Sequence, residues 1–149
     1  MELNEEDLQF AKETIQKTGL FAVCGEAELN QLYGGLEKQG YKQNSTVLFQ
    51  GEISSKLCLV ESGTVSVNVR KGKDKVKVAE LGANSFFGEI SLLTPRAATA
   101  TIKAETDAAI IFLPGEVVQR LARANPALQE ALNQKISERL ASQKQQTDK

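Results

Sequence analysis

The 149-residue chain contains no histidine. That absence removes Ser-His-Asp and Cys-His catalysis, together with the common histidine-containing zinc sites and facial-triad iron sites. Cysteine is nearly as scarce. Cys24 and Cys58 lie far apart with no second cysteine near either, so neither a Cys-x-x-Cys redox pair nor a zinc knuckle can form. Both are expected to be free thiols in a reducing compartment. Charge of one sign is not in excess: 18 Lys+Arg stand against 19 Asp+Glu, a formal charge of -1. A chain that grips nucleic acid by its phosphates needs a basic face, so direct nucleic-acid binding is not expected. Long apolar runs are missing too. The longest, Ala108 to Leu113, falls far short of the roughly 20 residues that span a bilayer, and the opening MELNEEDLQF is acidic, unlike a signal sequence. A cytoplasmic protein without membrane association is the expectation. The remainder, 41% hydrophobic and 25% charged, suits one soluble domain with a single core.

Helical periodicity appears first over residues 5 to 18. Leu8, Ala11 and Ile15 share a face, Asn4 is placed to cap an acidic first turn, and Lys17 and Gly19 mark the end. Leu29, Leu32, Tyr33 and Leu36 predict a second helix from about Ala27 to Lys38, with Gly34-Gly35 a weak or closely packed point in it. From Tyr41 the period becomes two. Val65, Val67 and Val69 alternate with polar residues in a strand from Thr64 to Arg70. Its predecessor, Lys56 to Val60, is expected to join it through a hairpin at Glu61-Ser62-Gly63, with Gly63 at positive φ. A polar turn at residues 71–74 leads into Lys75 to Glu80. After an interruption at 82–96, Ala98, Ala100, Ile102 and Ala104 alternate, and Ala108 to Leu113 forms a buried run. Seven or eight short strands imply a sandwich or roll. Pro114-Gly115 breaks the last strand, a helix spans Glu116 to Arg123, and Asn125-Pro126 opens a final helix with Leu128, Leu132, Ile136 and Leu140 along one stripe. Residues 141–149 are expected to fray or begin a linker.

The interruption carries the chemistry. Glu89 to Leu93 reads as a short helical turn that opens behind Gly88 and closes at Pro95, with Arg96 following. A helix start offers unpaired N–H groups and the positive end of the peptide dipoles, which suits an anion, and glycine permits close backbone approach. Arg96 can present its planar fork to two phosphate oxygens, and the N–H groups of Ala97 and Ala98 could add donors. Glu89 would repel a phosphate. It makes sense if it accepts a hydrogen bond from a sugar hydroxyl while Arg96 neutralises the phosphate, a demand that a phosphorylated ribose meets. Alone, Glu89 also reads as a first-turn acid stabilised by the helix dipole.

The run Phe87-Gly88-Glu89-Ile90-Ser91-Leu92-Leu93, followed by Pro95-Arg96-Ala97-Ala98-Thr99, resembles the phosphate-binding cassette of the cyclic-nucleotide-binding domain family. Members of that family include the regulatory subunits of cAMP-dependent protein kinase, bacterial catabolite activators and cyclic-nucleotide-gated channels. The resemblance covers about residues 15 to 140, and Gly51-Glu52, Glu61-Ser62-Gly63 and Gly82 sit where the family turns. It implies an α+β fold: an eight-stranded antiparallel β-roll, a jelly-roll-like double-stranded β-helix, with N-terminal helices, an internal cassette helix and two C-terminal helices. The implied division is a helical segment at 1–40, the roll at 41–113 with its cassette at 87–99, and C-terminal helices at 114–149, together one domain.

The resemblance also implies a binding and regulatory role with no catalytic residue and no metal. Arg96 would hold the exocyclic oxygens of the cyclic phosphate and Glu89 the ribose 2′-hydroxyl. The backbone around Gly88, Ile90, Ala97 and Ala98 would complete the cradle, with Ser91 inside it, and Thr99 would make a polar contact to phosphate or base. In cGMP-dependent kinases the position after the cassette arginine resembles Thr or Ser. Ala97 here favours cAMP, with cGMP the alternative ligand. In the family the last helix swings over the base, so Leu128, Leu132 and Ile136 are candidate lid residues, with core packing or a dimer seam the competing use of that stripe. A homodimer or effector contact through this helix is the partner expected besides the nucleotide. The alternative function is a roll that no longer binds nucleotide and serves in docking or oligomerisation.

Overall fold

The computed structural model describes residues 3–88 and 96–147, with the backbone alone for Ser54, Arg96 and residues 139–147. Helix α1 (Glu5–Thr18) begins where its sequence dictates. The Asn4 side chain accepts from the Asp7 N–H at 2.8 Å, the Asp7 carboxylate accepts from the Asn4 N–H at 3.1 Å, and Gly19 closes the helix in the left-handed conformation. Helix α2 (Glu26–Gly34) is shorter than its periodicity predicts, ending at the double glycine rather than Lys38. Gly35 lies against the Val117 side chain, where a Cβ would come within 2.9 Å of a methyl. The chain then turns into strand β1 (Glu37–Tyr41), which pairs antiparallel with β10 (Ala108–Pro114) over five residues. Long-range strand pairing overrides the local helical period here.

Eight strands form the two antiparallel sheets of a roll. One has the order β1-β10-β4-β7, with β4 at Lys56–Ser62 and β7 at Phe86–Phe87; the other has the order β2-β9-β5-β6, with β2 at Thr46–Leu48, β9 at Thr101–Ala104, β5 at Val65–Lys71 and β6 at Asp74–Leu81. A further two-residue pair joins β3 (Ile53–Ser54) to β8 (Arg96–Ala97). The hairpin predicted between β5 and β6 forms, from Val65↔Leu81 to Lys71↔Asp74, with a bulge at Val67/Asn68. The one predicted at Gly63 does not. Gly63 has φ +83° as expected, yet β4 pairs with β10 and β7 while β5 pairs with β6 and β9, so the turn carries the chain from one sheet to the other. A Cβ on Gly63 would collide with the backbone of Asp107 and Ala108, which fixes glycine there twice over. The predicted strand Ala98–Ala104 is shortened to β9, which starts at Thr101: residues 98–100 lie between β8, which ends at Ala97, and β9, as the chain changes partner from β3 to β2 and β5.

The β10 run is apolar throughout because both of its faces are covered. Ile110 and Phe112 point into the roll beside Cys58 and Val60 of β4, while Ile111 and Leu113 face the helices beside Leu57 and Leu59. Two cores result. The inner one fills the roll with Val65, Phe87, Ile102 and Ala104. The outer one sandwiches β4 and β10 against Ala11 and Ile15 of α1, Leu32 of α2, Val118 and Leu121 of α3 (Gly115–Ala124), and Leu128 and Leu132 of α4 (Pro126–Thr147). Asn125 opens α4 as predicted, its side chain accepting from the Leu128 N–H at 3.3 Å. The helix runs on to Thr147, beyond residue 141 where fraying is expected from composition.

Candidate functional site

Strand β7 delivers the chain to Gly88. Cys58 pairs with Phe87 and Leu59 with Phe86, and Val60 and Ser85 share a 2.9 Å backbone bond, so residues 85–87 are locked to the middle of β4. Gly88 has φ +92°, and a Cβ there would collide with the carbonyl oxygen of Lys56. The fold therefore demands glycine at this position independently of any ligand. At the other end of the segment, Arg96 pairs with Ser54, two residues from Lys56. Gly88 and Arg96 thus both flank the short Ser54–Lys56 stretch, which brings the two ends of the predicted cassette together. Glu89, Ile90, Ser91 and the predicted helical turn to Leu93 lie outside the described residues, as does the side chain of Arg96.

The arm after Arg96 is anchored on both sides. The Ala98 N–H donates to the Glu52 carbonyl at 2.8 Å, and the Gly51 N–H donates to the Ala98 carbonyl at 2.8 Å. The Ala98 N–H, expected as a donor to the ligand, is thereby occupied as a brace. In an antiparallel ladder the bonded positions alternate, so with Ala98 bonded across to Glu52 the Ala97 N–H turns away from β3, and Ala97 is exposed. Thr99 is exposed in the bend that follows. The loop opposite this arm is itself clamped. The Gln50 N–H donates to Thr101 Oγ1 at 2.9 Å, and the Gln50 side-chain oxygen accepts from the Arg70 N–H at 3.0 Å. Phe49 and Ile53 stand 60% and 67% exposed on either side of this clamp. Gln50 and Glu52 are site-building residues that the sequence marks only as neighbours of a glycine turn.

The candidate lid residues lie elsewhere. Leu128 and Leu132 are fully buried in the outer core, on the helix side of β4 and β10, and Ile136 is also buried. Of the two uses weighed for this stripe, core packing is the one seen. Burial pushes the Cys58 thiol up to about 12, and burial together with the nearby Glu28 pushes the half-buried Cys24 up to about 11. Next to the end of β4, Lys38 reaches both Asp7 of α1 at 2.9 Å and Glu61 at 3.0 Å. A hydrogen bond with Glu61, aided by the Lys38 ammonium, holds the Asp7 carboxyl down to about 2, while burial raises Glu61 above the ordinary glutamate value. This cluster ties α1 to the strand that carries Gly88's neighbours. Among the described residues no helix is long and apolar enough to cross a membrane.

Comparison with known proteins places this geometry in context. The family described as "Cyclic nucleotide-binding domain" matches residues 38–125, more than half of the chain. The cAMP-dependent protein kinase regulatory subunit of Yarrowia lipolytica is 32% identical over 107 residues, covering 72% of this chain and 28% of that protein. The chain thus spans about a quarter of the length of the regulatory subunits it matches. Among solved structures, the catabolite activator protein of Thermus thermophilus is 27% identical with a TM-score of 0.68, covering 87% of this chain and 61% of its own. The regulatory domain of Toxoplasma gondii PKA, solved with cAMP, shares the fold at 19% identity and a TM-score of 0.70, covering 88% of this chain and 50% of its own.

Proposed function

Because the chain belongs to the cyclic nucleotide-binding domain family, we propose that it is a regulatory module whose ligand is cAMP. The observation that carries the reading is the placement of Gly88 against Lys56 and of Arg96 against Ser54, which supports a cassette whose two ends are held by one short stretch of the chain. In this reading Arg96 gives its fork of N–H donors to the exocyclic phosphate oxygens and Glu89 accepts from the ribose 2′-hydroxyl. The N–H groups of Gly88, Ile90, Ser91 and Ala97 line the cradle, and Thr99 adds a polar contact. Ala98 acts through its bond to Glu52, holding the arm still. The half-buried Val67 and Leu81, packed against the inner core, offer the purine an apolar wall. Ala97, lacking a hydroxyl after the arginine, supports cAMP over cGMP.

Regulation follows from where α4 rests. Leu128, Leu132 and Ile136 are buried, so covering the base requires them to leave that packing. A ligand can drive such a move only by the extent to which it binds the rearranged state more tightly. The module acts by binding rather than by catalysis, in the cytoplasm, with an effector or a second copy reading the position of α4. Thermal unfolding with excess nucleotide tests the reading. A ligand at 100 times its dissociation constant adds about 2.7 kcal/mol of stability. The parent chain should melt higher with cAMP, and Arg96→Ala should show no such rise. A parent unmoved by both cAMP and cGMP would overturn the assignment.

A further inference from the structure

Asn125 is the single residue between α3 and α4, and every polar group it has is engaged. Its N–H donates to the Leu121 carbonyl at 2.9 Å and closes α3, while its own carbonyl accepts from the Leu128 and Gln129 N–H groups at 3.1 and 3.2 Å. The side chain works in two directions. Its oxygen accepts from the Leu128 N–H at 3.3 Å, and its amide nitrogen donates to both carboxylate oxygens of Glu28, at 3.2 and 3.3 Å. Glu28 lies in the first turn of α2, where its carboxylate also accepts from the Gly25 N–H at 3.1 Å. Toward the other end of the same two helices, Gly35 sits so close to Val117 that a Cβ there would displace a methyl. Helices α2 and α3 are thus tied to each other at two points, and the Asn125 amide is where that frame meets α4.

We propose that Glu28 and Asn125 are positioning residues that hold α4 in its core-packed arrangement and so set nucleotide affinity without touching the nucleotide. The inference rests on the reading of α4 as the cover of the base. One planar amide can point its nitrogen at Glu28 and its oxygen at the Leu128 N–H only while α4 keeps one direction relative to α2. A swing of α4 away from this frame, enough to free Leu128 and Leu132 from the outer core, breaks one of the two bonds. The bond to Glu28 is charge-assisted, so it weights the equilibrium toward the docked state. A ligand that needs the other state is bound more weakly in proportion.

Asn125→Asp separates the two bonds. The new carboxylate still accepts from the Leu128 N–H, as a good cap does, but it faces the Glu28 carboxylate. Hydrogen exchange of the full chain without nucleotide should become faster over residues 128–138, with protection in β4 and β10 unchanged. The cAMP affinity of this variant should rise about fivefold or more. Adding Glu28→Gln should return both quantities to the parental values, because glutamine restores an amide donor to the pair while its oxygen still accepts from Gly25. Unchanged exchange in α4, equal acceleration in the roll, or a double variant that does not recover would overturn the proposal. So would an unaltered affinity in a chain that binds cAMP. A parent that binds no cyclic nucleotide would overturn the functional reading and with it the claim on affinity, whereas the exchange of α4 would still test whether the pair holds the helix.

Discussion

Lys38 illustrates how much one side chain can organise. Its ammonium lies between the carboxyls of Asp7 and Glu61, and the three side chains are 20%, 7% and 16% exposed, so little water is present to screen them. Lys38→Met should cost about 2–4 kcal/mol of stability by leaving two carboxyls facing each other without a cation, measured by urea unfolding. The acid limb of the stability profile belongs to Asp7. Its carboxyl is held at about 2 in the fold against an ordinary 3.8, so the unfolded chain binds the extra proton and stability is lost as pH falls through that window. Glu61 has the opposite sign, its raised value costing stability as pH climbs above its ordinary range. Asp7→Asn keeps an oxygen to accept from the Asn4 N–H, and should flatten the limb between pH 4 and 2 in thermal melts taken across that range. An unflattened limb would mean that other carboxylates govern acid unfolding.

At the scale of elements, what could be read in advance was what neighbouring residues decide. The Asn4 cap, the Gly19 stop and the Asn125-Pro126 start lie within a turn of what they control. The resemblance to the cassette rests on FGE and PRAAT, which form a local pattern. Strand partnership was not legible, because Gly63 satisfies a hairpin turn and a crossover between sheets equally well, and only the burial demands of β4 and β5 separate the two. The Asp7–Lys38 contact joins positions 31 apart, and no periodicity announces it. The brace from Ala98 to Glu52 is a backbone bond, invisible to side-chain identity. The two crowded glycines give a paired test. Both hold positive φ and both meet backbone where a Cβ would be, so Gly63→Ala and Gly88→Ala should each lose about 2 kcal/mol or more in chemical denaturation. Only Gly88→Ala, which shifts the entry to the cassette, should also weaken cAMP binding more than about tenfold, a loss of roughly 1.4 kcal/mol. Equal affinities for the two folded variants would detach Gly88 from the site.

For the whole molecule, two cores share one sheet. Strands β4 and β10 present alternate residues to the roll interior and to the helices, so a change on the cassette side of β4 lies one residue from Leu57 and Leu59, which pack in the same outer core as Leu128 and Leu132. On the proposed function, that adjacency is the physical route by which a nucleotide held between Gly88 and Arg96 would reach α4. The C-terminal stripe was ambiguous in sequence because leucines at that spacing serve a core and a ligand cover equally well, and the structure shows Leu128 and Leu132 in the core. The central claim is that the segment joining Gly88 to Arg96 holds a cyclic nucleotide. Calorimetric titration of the chain with cAMP tests it most directly. The account predicts one saturable site per chain, lost in Arg96→Ala, whereas a parent giving no binding heat at any temperature tried and no displacement of a fluorescent cAMP analogue would contradict it.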